Sequence, residues 1–300
     1  MISLVGCFVI LGGSLLVRAG IPVDTPPGWT FAEYDERIKS FDPGDVAIEG
    51  DSRIGWGVAE KIVSSRLPTG KALNLGWPES GAATTISMLE GRLIGRSGTL
   101  VVGFTPAHFY SFSSTPKPTS ENVSGSLRWF IPPTPTTLFA DLKWLVSGAP
   151  RLFWKGRTVD PDGFVTGQLA WTDGRPANLR EIQEAGYRSI MQRILADSQN
   201  ELRRRDKIVQ ELRIFTEKGW QVILLRPPVD SDIREIEGQL PDDLSMARVG
   251  ELVGIVTIDH SSDALPTIDG SHLTPESARA FSRRLGDELS ELRRGNLRSR

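Results

Sequence analysis

The sequence predicts an α/β domain in which helices flank a central parallel sheet. Short apolar runs alternate along the chain with stretches whose apolar residues recur at helical spacing, the pattern of βαβ units. One run, residues 99–103, is rich in β-branched residues and bounded by glycines, as expected of a buried strand. A closing amphipathic stretch begins with Thr274 and Pro275, a favourable cap and first position for a helix.

The elements can be placed in order from these patterns. We expect strands near residues 45–49, 72–75, 99–103, 221–226 and 254–258. Helices are expected near 58–65, 82–94, 178–218 and 275–294, the third of them ended by Gly219. The strands and helices therefore belong to one domain spanning 45–294.

The alternation stops between residues 105 and 177. This stretch holds proline clusters, repeated Ser and Thr, and scattered aromatic residues. Because unstructured loops of that length are uncommon inside compact domains, we expect an insertion after the third strand with short helices of its own. Two interpretations fit: a lid on the substrate side, or a cap whose aromatics pack on the domain.

Composition limits the functional classes. With 35 basic and 37 acidic residues and a formal net charge of -2, the chain lacks the electrostatic signature of nucleic-acid binding. The short basic tail, 295–300, suits a helix C-terminus and is expected to be solvated. One cysteine and three histidines leave no internal disulfide and argue against a metal cluster.

The N-terminus carries an apolar run from Ile2 to Val17, followed by a proline-rich connector at 20–44. At about 1.5 Å per residue this run falls short of a hydrocarbon core of about 30 Å. It fits the apolar region of a signal peptide or a short membrane anchor within residues 1–19. We expect an exported protein, periplasmic or extracellular, and both cleavage and anchoring by residues 2–17 remain open.

The first predicted strand runs into Gly50-Asp51-Ser52-Arg53. A serine at the carboxyl end of a strand lies at the edge where open α/β sheets bind ligands. There it suits a nucleophile, given a base and donors for the oxyanion. Taken alone, the tripeptide fits a helix cap equally well.

A base and an acid are found near the other end of the chain, in Ile268-Asp269-Gly270-Ser271-His272-Leu273. In this loop a carboxylate can bind one imidazole nitrogen while the other faces a nucleophile, which is the logic of a catalytic triad. The strand-end serine, the late Asp-x-x-His and the intervening βαβ pattern support one another. They predict Ser52, Asp269 and His272 as catalytic residues.

In these blocks the sequence resembles the SGNH, or GDSL, hydrolase superfamily. Gly50-Asp51-Ser52 is similar to its first block, and Asp269 to Leu273 is similar to its last. The segment from Asn74 to Gly81 looks like the second block, so the resemblance implies an oxyanion N–H from Gly76 besides that of Ser52. It also implies a flavodoxin-like three-layer α/β fold, and covers about 45–104 and 219–289.

The third block departs from the family pattern. The family ends this strand with Gly-x-Asn, whose amide is a further oxyanion donor, whereas Gly103-Phe104-Thr105 places a threonine there. Losing one such donor costs on the order of 3 kcal/mol in serine hydrolases. We expect either a slower enzyme or a replacement donor, with Thr105 itself a candidate.

Three further residues, Arg53, His108 and His260, have chemistry that could serve a site. Arg53 fits a contact to a substrate carboxylate or sugar hydroxyl and equally an ordinary surface ion pair. His108 follows the third strand on the ligand side and is a candidate for lining the pocket. His260 is interpreted as a loop or packing residue.

The sequence therefore predicts a serine esterase or O-acyltransferase acting on acyl groups, acetyl above all, of a cell-envelope or extracellular carbohydrate. The resemblance to SGNH-like proteins of bacterial envelope and exopolysaccharide systems supplies the envelope setting. This chemistry needs no metal or diffusible cofactor. The alternative is a non-catalytic protein of the same fold that binds polysaccharide or scaffolds an envelope assembly.

Overall fold

The computed structural model describes residues 37–76, 96–109 and 179–295, single positions 82, 86, 89 and 93, and the backbone of 152–159 and 165–171; the side chains of 107 and 108 are excepted. The predicted N-terminal segment 1–19 and nearly all of the basic tail lie outside these residues. So does most of the insertion. Within the described part of the chain, no helix is both long and apolar enough to cross a bilayer.

In the described part of the chain, seven strands form two sheets. They are β1 (Val46–Glu49), β2 (Ala72–Asn74), β3 (Thr99–Gly103), β4 (Leu152–Val159), β5 (Val165–Trp171), β6 (Gln221–Arg226) and β7 (Val256–Asp259). The main sheet is parallel in the order β2-β1-β3-β6-β7, and β4 and β5 pair antiparallel. The order of the main sheet is flavodoxin-like, as predicted.

Helices lie between these strands. They are α1 (Ser52–Gly57), α2 (Glu60–Ser64), α3 (Pro106–Phe109), α4 (Leu179–Ala196), α5 (Ser198–Glu217), α6 (Ser231–Glu237), α7 (Met246–Val253) and α8 (Pro275–Arg293). A short 3₁₀ helix covers Asp242–Leu244, and the four single positions 82, 86, 89 and 93 are helical.

Two hydrophobic clusters cover the two faces of the main sheet, which makes three layers. On one face, Leu100 and Leu224 pack among buried residues of α4, α5, α6 and α7. On the other, Val101 and Ile223 pack against α1, α2 and α8. Neighbouring residues of one strand point to opposite faces, so an unbroken apolar run serves both layers.

Three details differ from the predicted elements. The stretch 178–218 is two helices, α4 and α5, separated at Asp197, whose backbone leaves the helical region at φ -127 and ψ 45. Helices α6 and α7 were not predicted. The insertion contains the β4–β5 hairpin where only short helices were expected, and the Pro161-Asp162-Gly163 sequence between the two strands is a turn signal that could have indicated it.

Candidate active site

Ser52 is the first residue of α1, directly after the turn that leaves β1. Gly50 takes φ +152, and a Cβ there would lie 2.6 Å from Ile54 Cγ1, so the turn requires glycine. Asp51 caps α1 by accepting a hydrogen bond from the Arg53 backbone N–H at 3.0 Å. The Gly-Asp-Ser sequence thus folds as a strand, a tight turn and a capped helix, with Ser52 at the carboxyl edge of the sheet.

The loop between β7 and α8 carries the predicted acid and base. The Ile268 N–H donates to the His272 carbonyl at 2.7 Å, and Gly270 adopts φ +93 between them. The loop ends where the Thr274 hydroxyl accepts from the Ser277 N–H at 3.2 Å and caps α8. These bonds close the loop on itself and fix the direction in which the Asp269 and His272 side chains leave it.

The structure brings the three predicted catalytic side chains into one hydrogen-bonded chain. Ser52 Oγ lies 2.8 Å from His272 Nε2, although the two residues are 220 positions apart in the sequence. His272 Nδ1 lies 2.7 Å from Asp269 Oδ2. A carboxylate can accept only from an Nδ1–H, so this contact leaves Nε2 able to accept the hydroxyl proton of Ser52.

The Asp269 carboxylate is buried and heavily hydrogen-bonded. Its Oδ1 accepts from the backbone N–H groups of Ser271 and His272, both at 2.9 Å, and from the Ser271 hydroxyl at 3.1 Å. Burial opposes ionisation, but the hydrogen bond and charge of His272 and the two backbone donors outweigh it and lower the pKa of Asp269. The carboxylate is therefore ionised when it faces the imidazole.

Trp56 covers one face of the His272 imidazole. The two ring centroids are 4.4 Å apart and the planes are tilted by 42°. Trp56 lies one helical turn after Ser52 on α1, so Ser52 and the aromatic contact of His272 share one short helix. The sequence analysis did not single out Trp56, since an isolated tryptophan carries no motif.

The candidate oxyanion donors differ in what they contact. The Gly76 backbone packs closely on Gly55 of α1, and the Gly76 N–H donates to Asn74 Oδ1 at 3.0 Å. In this conformation the Gly76 donor is engaged within its own turn, so it would have to exchange that acceptor to bind an oxyanion. Ser52 is the first residue of α1, and the first N–H groups of a helix have no acceptor within the helix, so the Ser52 N–H can donate to another group.

Thr105 follows β3, the strand beside β1, and is 2% exposed. Its Oγ1 is buried and has no hydrogen-bond partner among the described residues. A buried hydroxyl without an acceptor is costly in a folded protein and marks a group that a ligand can satisfy.

The expectation for Arg53 is corrected by its surroundings. The side chain is buried rather than on the surface, and its guanidinium pairs with the equally buried Glu237 of α6 at 2.8 Å. Its Nε donates to the Tyr187 hydroxyl at 3.2 Å. Burial opposes the charge, yet the Glu237 carboxylate outweighs it and raises the pKa of Arg53. Arg53 thus anchors the start of α1 to α6, and its donors are turned away from solvent.

The two other histidines have different outcomes. The side chain of His108 lies outside the described residues, so its candidate role as a pocket residue stays a prediction. His260 is 1% exposed, with Nδ1 2.9 Å from Asp263 and Nε2 2.8 Å from Glu288. It is a buried packing residue held at both nitrogens. No group of three or more His, Cys, Asp or Glu side chains within the described ranges is arranged to hold a metal ion.

Two residues without a predicted role also shape the site. Asn74, in the second block, spans from β2 to α1, where its Nδ2 donates to the Val58 carbonyl at 2.8 Å. Gln183 of α4 donates from Nε2 to Asp269 Oδ2 at 3.1 Å. Asn74 begins the segment that resembles the second block of the family, so a motif could have indicated it. Nothing in the sequence distinguishes Gln183 from the other glutamines of a polar helix.

The insertion reaches the same region, since β5 runs close to α1, the helix that begins with Ser52. The hairpin therefore approaches the helix that carries Ser52 from outside the main sheet.

Comparisons with known proteins give a likeness in structure but not in sequence family. No protein-family model matches the sequence, and no curated protein matches it. Among solved structures, the chain is similar to an acetyl xylan esterase (Est2A) from the rumen bacterium Butyrivibrio proteoclasticus, with 11% identity and a TM-score of 0.37. The match covers 86% of this chain but 66% of the esterase, just under two thirds. At this TM-score the likeness carries no argument about activity, so the functional case depends on the site itself.

Proposed function

We propose that this chain is a serine esterase or O-acyltransferase of the SGNH type. Its substrate would be an ester-linked acyl group, acetyl above all, on a cell-envelope or extracellular carbohydrate. The observation that carries the proposal is the continuous contact from Ser52 Oγ to His272 Nε2 and from His272 Nδ1 to Asp269 Oδ2, at 2.8 and 2.7 Å. Ser52 and the Asp269–His272 pair come from opposite ends of the sequence, and their contacts have the geometry that general-base activation of a serine requires.

The proposed reaction has two steps. In the first, Ser52 Oγ attacks the ester carbonyl while His272 Nε2 takes its proton, and the imidazolium then protonates the departing alcohol. In the second, water or a sugar hydroxyl gives its proton to His272 and attacks the acyl-serine carbonyl. The bond to Ser52 Oγ then breaks, His272 returns the proton to Ser52 Oγ, and the free acid or the acylated sugar leaves. Asp269 holds His272 in the Nδ1–H tautomer and stabilises the imidazolium in both steps.

The oxyanion would be bound at the carboxyl ends of β1, β2 and β3. The Ser52 N–H is the first donor, and the buried hydroxyl of Thr105 is suited to be the second. Gly76 contributes only if its N–H leaves Asn74 Oδ1. This arrangement would replace the family's amide donor with a shorter hydroxyl one.

The choice of acceptor depends on the exclusion of water. We assign this task to the insertion, because β5 approaches α1. A hairpin that covers the acyl-serine would favour transfer to a bound sugar hydroxyl, and an open one would favour hydrolysis. Export, directed by residues 1–19 with or without anchoring by 2–17, would bring the enzyme to such carbohydrates.

The engaged Gly76 N–H and the Thr105 substitution favour a second candidate, a non-catalytic protein of the same fold that binds polysaccharide or scaffolds an envelope assembly. In such a protein the serine and histidine would still touch, but no oxyanion would be stabilised. The two candidates differ in covalent reactivity at Ser52.

The deciding experiment measures turnover of p-nitrophenyl acetate by the full chain and by Ser52→Ala. We expect kcat to fall by about 10³-fold or more, because removal of the nucleophile stops covalent catalysis. Ser65→Ala, which changes an exposed serine of the same region, is the control and should match the wild type. Equal turnover by Ser52→Ala contradicts the assignment, and a wild-type chain that a serine-directed fluorophosphonate fails to label favours the scaffold.

A further inference from the structure

Gln183 reaches the proposed triad from a helix that no sequence motif connects to it. Its Nε2 donates to Asp269 Oδ2 at 3.1 Å, the same oxygen that lies 2.7 Å from His272 Nδ1. Gln183 lies on α4 and is half-buried. One carboxylate oxygen thus receives two donors, one from the base and one from a neutral amide.

The start of α4 is fixed against the catalytic loop by a second set of contacts. Arg180, one turn before Gln183, pairs with Asp230 at 3.1 Å and with Asp232 at 2.7 Å. The Asp230 N–H in turn donates to the Gly270 carbonyl at 2.9 Å, in the middle of the Asp269–His272 loop. The contact of Gln183 with Asp269 therefore belongs to a packed junction of α4, α6 and the loop.

The hydrogen bonds around Asp269 divide between its two oxygens. Oδ1 accepts three donors, all from Ser271 and His272 of its own loop. Oδ2 accepts from His272 Nδ1 and, from outside the loop, from Gln183. Without Gln183, the orientation of the carboxylate would be fixed only by the three donors to Oδ1 and by the His272 imidazole. Oδ2 could then rotate out of alignment with His272 Nδ1.

We infer that Gln183 is a positioning residue of the active site. It holds Asp269 so that Oδ2 stays aligned with His272 Nδ1, which in turn aims Nε2 at Ser52. Its neutral N–H supplies this alignment without adding charge beside the imidazole. The inference rests on the proposed function and deepens it, since it gives the triad a fourth residue that acts through Asp269.

The test compares four variants of the full chain on p-nitrophenyl acetate. Gln183→Met keeps the side-chain volume and removes the donor, while Gln183→Glu replaces the donor with a carboxylate. Gln192 lies on the exposed side of the same helix, so Gln192→Met and Gln192→Glu are matched controls. All four proteins are first checked for an unchanged melting temperature within a few degrees.

We expect Gln183→Met to lower kcat by about 10-fold with KM unchanged within about twofold, because misalignment of the base affects the chemical step rather than binding. In Gln183→Glu a second carboxylate faces Asp269 Oδ2 in place of the donor, so repulsion between the two should lower kcat at least as far and change its dependence on pH. Neither Gln192 variant should change kcat or the pH profile. Wild-type kcat and pH profile in both Gln183 variants would overturn the inference.

A second measurement is independent of turnover. The proton between His272 Nδ1 and Asp269 gives a downfield ¹H NMR signal when solvent exchange is slow, and Gln183→Met should broaden it while Gln192→Met leaves it sharp. An unchanged signal in Gln183→Met contradicts the positioning role. If the wild-type chain turns over no ester, the proposed function fails, and this signal still decides whether Gln183 holds Asp269.

Discussion

Thr105 shows how one side chain connects stability to chemistry at the residue scale. Its hydroxyl is buried at the end of β3, with no partner among the described residues, in the place where the resembled family has an amide donor. An unsatisfied buried hydroxyl costs about 1–3 kcal/mol. Such a cost is expected where a polar group is kept for a transient partner, and the developing oxyanion is the partner that the proposed reaction supplies.

Replacing Thr105 with valine should therefore separate activity from stability. The change removes the hydroxyl and keeps the shape, so kcat for p-nitrophenyl acetate should fall by about 10²-fold. The melting temperature should stay level or rise, because an unsatisfied polar group is lost. Thr99→Val is the control on the same strand: Thr99 donates to Gln221 at 3.2 Å, so this variant should lose stability and keep its kcat. An unchanged kcat in Thr105→Val would remove Thr105 from the oxyanion site.

At this scale the sequence predicted the residues that motifs contain and missed those that only packing brings in. Ser52, Asp269 and His272 could be proposed because residue type, order and spacing restrict a nucleophile, a base and an acid. For Arg53 the sequence suggested a substrate contact or a surface ion pair. Its buried partner Glu237 could not be recognised, since it lies 184 positions away and no local pattern connects the two. Gln183 could not be recognised for the same reason.

At the scale of elements, Asn74 joins the end of β2 to the helix that begins with Ser52. Its Nδ2 lies 3.1, 3.2 and 2.8 Å from the carbonyls of Ile54, Gly55 and Val58, at the carboxyl end of the short α1 and in the turn after it. The Ile54 carbonyl also accepts from the Val58 N–H at 3.2 Å. Its Oδ1 accepts from Gly76. One buried amide thus satisfies the carboxyl end of α1 and shapes the turn after β2.

Asn74→Asp should destabilise the protein strongly although the two side chains have nearly the same shape. The change replaces the Nδ2 donor with an oxygen, so the carbonyls of Ile54, Gly55 and Val58 lose this contact and face a carboxylate at a position that is 3% exposed. We expect the free energy of unfolding to fall by about 3 kcal/mol, measured by urea denaturation. Asn200→Asp makes the same chemical change on α5 and should cost less than about 1 kcal/mol. Equal midpoints for the two variants would contradict this role of Asn74.

Elements of the main sheet were predictable because each strand is an apolar run and each flanking helix has a clear apolar face. The break between α4 and α5 was not, because the spacing of apolar residues continues across Asp197. The two helices pack on different partners, α4 on α6 and α5 on β6 and α7. Tertiary packing rather than local pattern therefore decides where the predicted single helix divides.

For the whole molecule, the chain from β7 onward joins the loop of Asp269 and His272 to the helical layer on one face of the sheet. Helix α8 begins directly after His272 and packs with α1 and α2 on one face of the sheet. The same helix carries Glu288, which accepts from the buried His260 at 2.8 Å. Arg284 contacts both Glu288 and Asp263, so four charged or titratable side chains meet under the end of β7.

Acid should destabilise this junction in a definite range of pH. Burial alone would raise the pKa of Glu288, but the hydrogen bond and charge of His260, with those of Arg284, outweigh it and lower that pKa. An unfolded Glu titrates near about 4.3, so on acidification the unfolded chain takes up this proton first. The stabilisation from Glu288 is complete above that value and is lost as the pH falls through the lower pKa of the folded protein.

Glu288→Gln removes this titration and should flatten the dependence of stability on pH. We expect the variant to be less stable than the wild type at about pH 7, with a difference that shrinks as the pH falls below the unfolded-state pKa of about 4.3. The free energy of unfolding in urea at several pH values measures it. Asp269, whose pKa is lowered as well, contributes equally to both proteins and cancels from the difference. Glu291→Gln changes an exposed residue of the same helix and is the control, so its plot of unfolding free energy against pH should run parallel to that of the wild type. A parallel plot for Glu288→Gln as well would show that the His260 cluster adds nothing to acid sensitivity.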